Sequence, residues 1–191
     1  MTFGTPHDIF DVVIALCWLT FFIVWAVSAL FVKRTVERSL GWARLLTLLI
    51  LIPFVGMARW VPELHRALWP RTAAIGAVAA LLTTAGLAVA VWARATLGSN
   101  WSGTIAFKEH HELIQRGPYA HVRHPIYSGL LLMCLGTAVA SARLSGFVVL
   151  GLALVMLMIK AHYEERLMIS HFPDAYPGYR QRVKALIPGI W

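Results

Sequence analysis

Residues 125–160 read PIYSGLLLMCLGTAVASARLSGFVVLGLALVMLMIK, and Arg143 is the only charge between the first residue and the terminal lysine. Two apolar runs, about Ile126 to Ala142 and Leu144 to Ile159, are separated by little more than that arginine. Each approaches the ~20 residues that cross a bilayer as a helix. In hydrocarbon the backbone must satisfy its own hydrogen bonds, so such runs are expected to be helical. A break this short makes them a tight helical hairpin.

The same pattern recurs upstream. One block runs from about Ile9 to Val32 and ends in Lys33, Arg34 and Arg38. A shorter one, about Leu45 to Ala58, is interrupted by Pro53. A third, about Ala73 to Ala93, is rich in Ala, Gly and Thr, residues that let helices approach closely. The chain has 191 residues, 59% of them hydrophobic and only 14% charged, with a mean hydropathy of +0.68. Soluble domains carry roughly 25% charged residues, so a water-soluble bundle is a poor fit. The fold expected is all-α, a polytopic membrane bundle of about five spans. Residues 1–93 hold the first three. Residues 94–191 hold a polar loop, the hairpin and a polar, aromatic tail.

Charge placement orients the bundle. Lys33, Arg34, Arg38 and Arg44 follow the first span, and Arg94, Lys108, Arg116 and Arg123 follow the third. Lys160, Arg166, Arg180, Arg182 and Lys184 follow the fifth. The other side holds Arg59, Arg66, Arg71 and Arg143, a split of 13 against 4. The positive-inside rule then puts the N-terminus outside and the C-terminus in the cytosol, as for a bacterial inner-membrane protein. The net charge of +8 follows from this topology and from contact with anionic lipid, without nucleic acid. Asp8 and Asp11 stand where a cleavable signal would be basic, so the first block is expected to stay as a span. Cys17 and Cys134 lie inside apolar blocks and read as small buried hydrophobes.

The polar loop contains Gly98-Ser99-Asn100-Trp101, then His110 through Tyr119 (HHELIQRGPY), and closes with Arg123-His124-Pro125-Ile126-Tyr127-Ser128-Gly129. Gly117-Pro118 signals a turn. Pro125 suits the first position of a helix, which places Arg123 and His124 at a helix N-terminus where an anionic group such as a carboxylate is favoured. Taken singly, Arg123, Tyr119 and Tyr127 fit an interfacial basic and aromatic belt equally well. Lys160 and Glu164 share one helix face four residues apart, as a snorkelling pair or as a functional one at the membrane edge. His110, His111, His121 and His124 crowd the loop but lack the carboxylate spacing of a metal set, and no metal is expected. No G-x-G-x-x-G or G-x-x-x-x-G-K-[ST] occurs, so a soluble nucleotide-binding fold is not indicated.

Taken in order, these elements resemble the isoprenylcysteine carboxyl methyltransferase family, including its small prokaryotic members. The motifs are Gly98-x-Asn100-Trp101, His111-Glu112-Leu113-Ile114-x-x-Gly117-Pro118-Tyr119, Arg123-His124-Pro125-x-Tyr127-x-Gly129 and Glu164-Glu165. Tail elements Phe172, Tyr176, Tyr179 and Leu186-Ile187-Pro188 follow, so the likeness covers about residues 94–188. The R-H-P-x-Y-x-G element alone is shared with phospholipid N-methyltransferases and sterol reductases.

The resemblance implies S-adenosyl-L-methionine as cofactor, held between the loop after span three and the C-terminal segment. It implies a cofactor site of Thr104, His111, Glu112, Leu113, Ile114, Tyr119, His124, Pro125, Ile126, Tyr127 and Glu164. Lys160 and Arg123 are the catalytic residues expected. Lys160 stands where the family carries an Arg that engages the substrate carboxylate; the charge is kept and the bidentate fork is lost. The expected reaction is methyl transfer to a carboxylate on a lipophilic, prenyl-like small molecule or prenylated substrate beside membrane lipid. The alternatives are a phospholipid N-methyltransferase, an NADPH-dependent sterol-type reductase, and a non-catalytic membrane protein. The sequence leaves oligomeric state and the native acceptor open.

Overall fold

Small residues decide how the helices meet. In the computed structural model, which describes residues 8–30, 35–38, 61–98, 106–108 and 113–189, four long helices carry the fold. They are α1 (Asp8–Ala29), α2 (Ala73–Leu97), α3 (Pro125–Ser141) and α4 (Leu144–His171), followed by the short α5 (Tyr176–Arg182). Single turns of 3-10 helix cover Pro62–His65 and Gly117–Ala120. The chain is an integral membrane protein built of helices. The expected second span, about Leu45 to Ala58, lies outside the described residues.

α1 and α2 run parallel. Arg71 pairs with Asp11 where they begin, and where they finish Arg94 Nη2 donates to Ser28 O at 2.9 Å. Thr72 caps α2, its hydroxyl accepting from Ile75 N. α3 returns antiparallel to α2 along a seam without side chains. A Cβ built on Gly86 would stand 2.5 Å from Gly129 O, and one on Gly129 would stand 2.6 Å from Gly86 O. Gly136 lies equally close to Thr83 and Ala79, and Met133 is fully enclosed. Within a membrane such close backbone approach supplies the dispersion energy that water would otherwise supply by exclusion. Trp18 Nε1 donates to Thr137 Oγ1 at 3.0 Å and ties α1 to the same pair.

The hairpin's first run is found almost where it was expected, and its second continues further. α3 is 17 residues, ~25 Å long, shorter than the ~30 Å hydrocarbon layer and shorter than its neighbours. Its start is fixed by Pro125 and its end by Ala142, which adopts the left-handed conformation at φ 53°. The fifth span does not stop near Ile159. α4 runs on to His171 for 28 residues, ~42 Å, so its last three turns leave the apolar layer carrying Lys160, Glu164 and Glu165. The third helix likewise extends past Ala93 to Leu97 and takes Arg94 into a buried position.

Three described helices are long and apolar enough to cross a membrane: Ile9–Ala29, Ala73–Leu97 and Leu144–His171. Their outward faces are apolar, with Leu16, Phe22, Leu81 and Val155 all more than half exposed, as suits lipid rather than water. One end of the bundle gathers Asp11, Arg71 and the hairpin turn, where Leu68 N donates to Ala142 O. The other gathers the α2 terminus, the Gly117–Tyr127 stretch and the tail. A short antiparallel pair, β1 (Thr35–Arg38) with β2 (Ala106–Lys108), joins the loops that follow the first and third helical blocks. Nothing in the sequence pattern had signalled it.

The α2–α3 seam gives a direct expectation. Gly129→Leu should lower the thermal midpoint in detergent sharply, since overpacking a close contact costs about 1–3 kcal/mol or more. Gly151→Ala, on an open face of α4, should leave it unchanged or slightly raised. Equal midpoints for the two variants would contradict the seam.

Candidate functional site

Pro125 opens α3 because its missing N–H costs nothing at the first helical position. The residues just before it then meet the tail instead of solvent. Arg123 N donates to Lys184 O at 2.8 Å and His124 N to Ala185 O at 3.0 Å. Ser128 Oγ, one turn into α3, donates to Leu186 O at 2.6 Å. Ala185 and Leu186 pack with Tyr127 and Ala161 in an apolar cluster. The backbone donors expected to face an anionic ligand at Arg123 and His124 are therefore taken by tail carbonyls.

Above this clasp, α4 presents Glu164 and Glu165 on adjoining faces, about 100° apart around the helix. Glu165 faces the tail. Its Oε1 accepts from Arg123 Nε at 2.8 Å with Nη2 2.7 Å away, and Arg180 Nε forms an ion pair with its Oε2 at 3.1 Å. Arg123 Nη1 also donates to Arg180 O at 3.1 Å and to Val183 O. The Arg123 guanidinium is thus committed to joining α4, α5 and the tail. Glu164 faces the other way. Tyr127 Oη donates to its Oε1 at 2.6 Å, and Lys160 Nζ lies 3.9 Å from the same oxygen. Lys160 also sits 5.2 Å from the Tyr127 ring centroid, a cation–π placement.

His124 stands between the two carboxylates. Its Nε2 is 3.2 Å from Glu165 Oε1 and its Nδ1 is 3.6 Å from Glu164 Oε2. The ring stacks on Tyr127 with centroids 5.3 Å apart and planes 3° from parallel. Burial by itself would lower its pKa, but hydrogen bonds to Glu164 and Glu165 outweigh burial and raise it above the usual imidazole value of 6.5. Tyr179 reaches across from α5, its hydroxyl donating to Tyr119 O at 2.6 Å. Burial pushes that hydroxyl up to about 12, so it remains a donor. Gly117, at φ 60° beside Thr96 and Trp92, makes the turn that sets Tyr119 against the end of α2.

The sequence-expected residues Arg123, His124, Pro125, Ile126, Tyr127, Lys160 and Glu164 are brought to one place. Tyr119 joins them through its carbonyl. Leu113 and Ile114 are half-buried in the same loop. Thr104, His111 and Glu112 lie outside the described residues. Among the described residues no group of His, Cys, Asp and Glu is placed to hold a metal ion. Glu165 and Arg180 were not expected in the site. The Glu164-Glu165 motif was the signal for Glu165, though only Glu164 was given a role, and Arg180 carried none.

A family model for phospholipid methyltransferases matches residues 74–175, just over half of the chain. The chain belongs to the phospholipid methyltransferase family. The matched segment of this family member spans α2 to α4, and the clasping helix α5 falls outside it. The protein-S-isoprenylcysteine O-methyltransferase of Schizosaccharomyces pombe is 33% identical over 96 residues, 49% of this chain and 41% of that protein. The cobalt-zinc-cadmium resistance protein CzcN of Cupriavidus metallidurans is 32% identical over 112 residues, 58% of this chain and 50% of that protein. The chain thus spans about half the length of the curated relatives it matches. A solved eukaryotic intramembrane Ras methyltransferase, an isoprenylcysteine carboxyl methyltransferase, aligns over 81% of this chain and 55% of its own, at 23% identity and a TM-score of 0.47. The likeness to isoprenylcysteine methyltransferases expected from the motifs is thus found among named relatives of this phospholipid methyltransferase family member.

The raised His124 pKa has a consequence for stability. A ring that holds its proton more tightly when folded contributes fully below the unfolded value, roughly pH 6.5, and loses that contribution as pH rises through the folded value. The thermal midpoint of wild type should therefore exceed that of His124→Asn most at pH 6, and the gap should narrow toward pH 9. A gap that widens with pH would show that the ring is held neutral.

Proposed function

We propose that this chain transfers the methyl group of S-adenosyl-L-methionine to a carboxylate on a lipophilic, prenyl-like acceptor at the membrane edge. The observation that carries the reading is the set formed by Glu164, Tyr127, His124 and Lys160 where α4 leaves the apolar layer. These residues fit the cofactor. Glu164 is about a quarter exposed while Glu165 is only a tenth exposed, so Glu164 is the carboxylate able to meet a ligand. An anionic oxygen pair suits the donor's amino group or ribose hydroxyls, and the Tyr127 ring suits a sulfonium.

When bound, the donor supplies a methyl group already activated on a positively charged sulfur. Glu164 binds and Tyr127 orients that carboxylate through its 2.6 Å hydrogen bond. Lys160, one turn earlier and 5.2 Å from the Tyr127 ring centroid, is placed to attract the acceptor carboxylate toward the same spot. A carboxylate is a nucleophile without losing a proton, so rate comes from alignment and exclusion of water. Arg123, committed to Glu165 and two tail carbonyls, serves as a positioning residue rather than as a substrate contact.

The family's name raises an amine acceptor as the second reading. That chemistry needs a base, and among the described residues His124 is the imidazole beside Glu164. Its ring is engaged by a carboxylate on either side, which makes it hold a proton more tightly and favours the carboxylate acceptor. The isoprenylcysteine methyltransferase named in fission yeast supports the same choice. We place the site on the cytosolic face, with the N-terminus outside, in a bacterial inner membrane. The 13 to 4 charge split and the gathering of the polar loop and tail at one end support this. A C-terminal reporter fluorescent only in the cytosol checks it.

Calorimetric titration of the detergent-purified protein with S-adenosyl-L-methionine, S-adenosylhomocysteine and NADPH tests the function. Saturable binding of the first two alone is expected. Glu164→Ala should weaken donor binding about ten- to hundredfold, the value of a charge-assisted hydrogen bond. Lys160→Ala should leave it near wild type and reduce turnover instead. Binding of NADPH, or of none of the three, would overturn the reading.

A further inference from the structure

Glu165 makes no contact that the proposed reaction uses, yet it is the most heavily engaged acidic side chain among the described residues. Its carboxylate takes the Arg123 fork on one oxygen and Arg180 on the other. With two guanidiniums against it, the group is an acceptor only, because a guanidinium has nothing but N–H to offer. The His124 Nε2 at 3.2 Å from Oε1 must therefore carry a proton and donate it. That contact fixes the ring's tautomer and its rotation, and it leaves Nδ1 turned to Glu164 Oε2 at 3.6 Å.

We infer that Glu165 is a positioning residue for the donor site, holding His124 so that its second nitrogen faces Glu164 and keeps that carboxylate aligned with Tyr127. The inference rests on the proposed donor role of Glu164 and goes one residue deeper. It also gives the tail a part in binding. Arg180 from α5 shares Glu165, so the docked tail and the ligand-facing carboxylate are linked through one side chain.

The groups around His124 are of both signs. From α4 it faces Glu164 and Glu165, with Lys160 beyond Glu164. Tyr127 stacks on it from α3. Arg123 and, from α5, Arg180 face it only through Glu165. Tyr119 lies near enough to feel Glu164 and Tyr176 to feel both glutamates, and both are kept protonated chiefly by burial. The two carboxylates are the groups that favour a protonated ring. Removing the charge of Glu165 leaves one of them, at the longer distance.

Nitrogen-15 spectra of histidine-labelled protein, taken between pH 5 and 9 without donor, test this directly. Of the eight histidines, the His124 signal is the one lost in His124→Asn. In wild type the His124 midpoint should lie above the ordinary imidazole value. In Glu165→Gln the midpoint should fall by about one pH unit or more, and the affinity for S-adenosyl-L-methionine at pH 7.5 should weaken about tenfold. Arg180→Gln removes a cation from the far side of Glu165, so there the midpoint should hold or rise. A wild-type His124 midpoint retained in Glu165→Gln would overturn the inference. Should that variant fail to fold, a falling midpoint in Arg180→Gln would overturn it equally. The spectra need no ligand, so absence of donor binding to wild type would defeat the donor reading alone and leave the His124 result standing.

Discussion

Glu164 and Glu165 stand side by side just past a stretch of α4 that is almost wholly apolar, and two carboxylates so placed must be neutralised. Taking an ion out of water costs several kcal/mol even after relaxation. The chain meets this cost from three directions. Arg123 comes from the end of the polar loop, Arg180 from the tail, and Lys160 from the preceding turn of the same helix. His124 sits between the two acids and serves both. Remove the carboxylates and the tail would keep its backbone and apolar contacts at the mouth of the hairpin but lose its ionic link to α4.

That arrangement depends in turn on how rigidly α3 is held. The Gly86–Gly129 contact sets α3 against α2 at backbone distance, and Gly136 fixes the same seam about two turns further along. The seam fixes the start of α3, where His124, Tyr127 and Ser128 project toward α4 and the tail. Arg94 closes the same end by reaching both Ser28 O and Gly98 O, which ties α1 to the loop that leads into the site. A chemistry that works by alignment needs such a frame, since the reacting groups carry little intrinsic activation of their own.

The division of labour between the paired acids illustrates what a sequence can and cannot say. Both were visible as a motif, and Lys160 four residues earlier was visible as a partner for Glu164. That one carboxylate turns to Tyr127 and Lys160 and the other to the tail was not visible. It depends on which face of α4 meets α5, and α5 lies outside the matched family segment. The family resemblance implied a catalytic role for Arg123. Its guanidinium turns instead to Arg180 O and Val183 O, 57 and 60 residues away. No local spacing encodes that turn.

The sequence by itself determined the membrane class, the helical character and the hairpin. Each of these follows from local rules: helix length against bilayer thickness and an internally satisfied backbone. Only the tertiary structure decided how closely α3 meets α2, how far α4 continues beyond its apolar run, and which of two adjacent glutamates faces the tail. Those outcomes turn on contacts between segments distant in sequence. For the two glutamates a rotation of about 100° between neighbouring helical residues separates a group facing Tyr127 from one facing the tail.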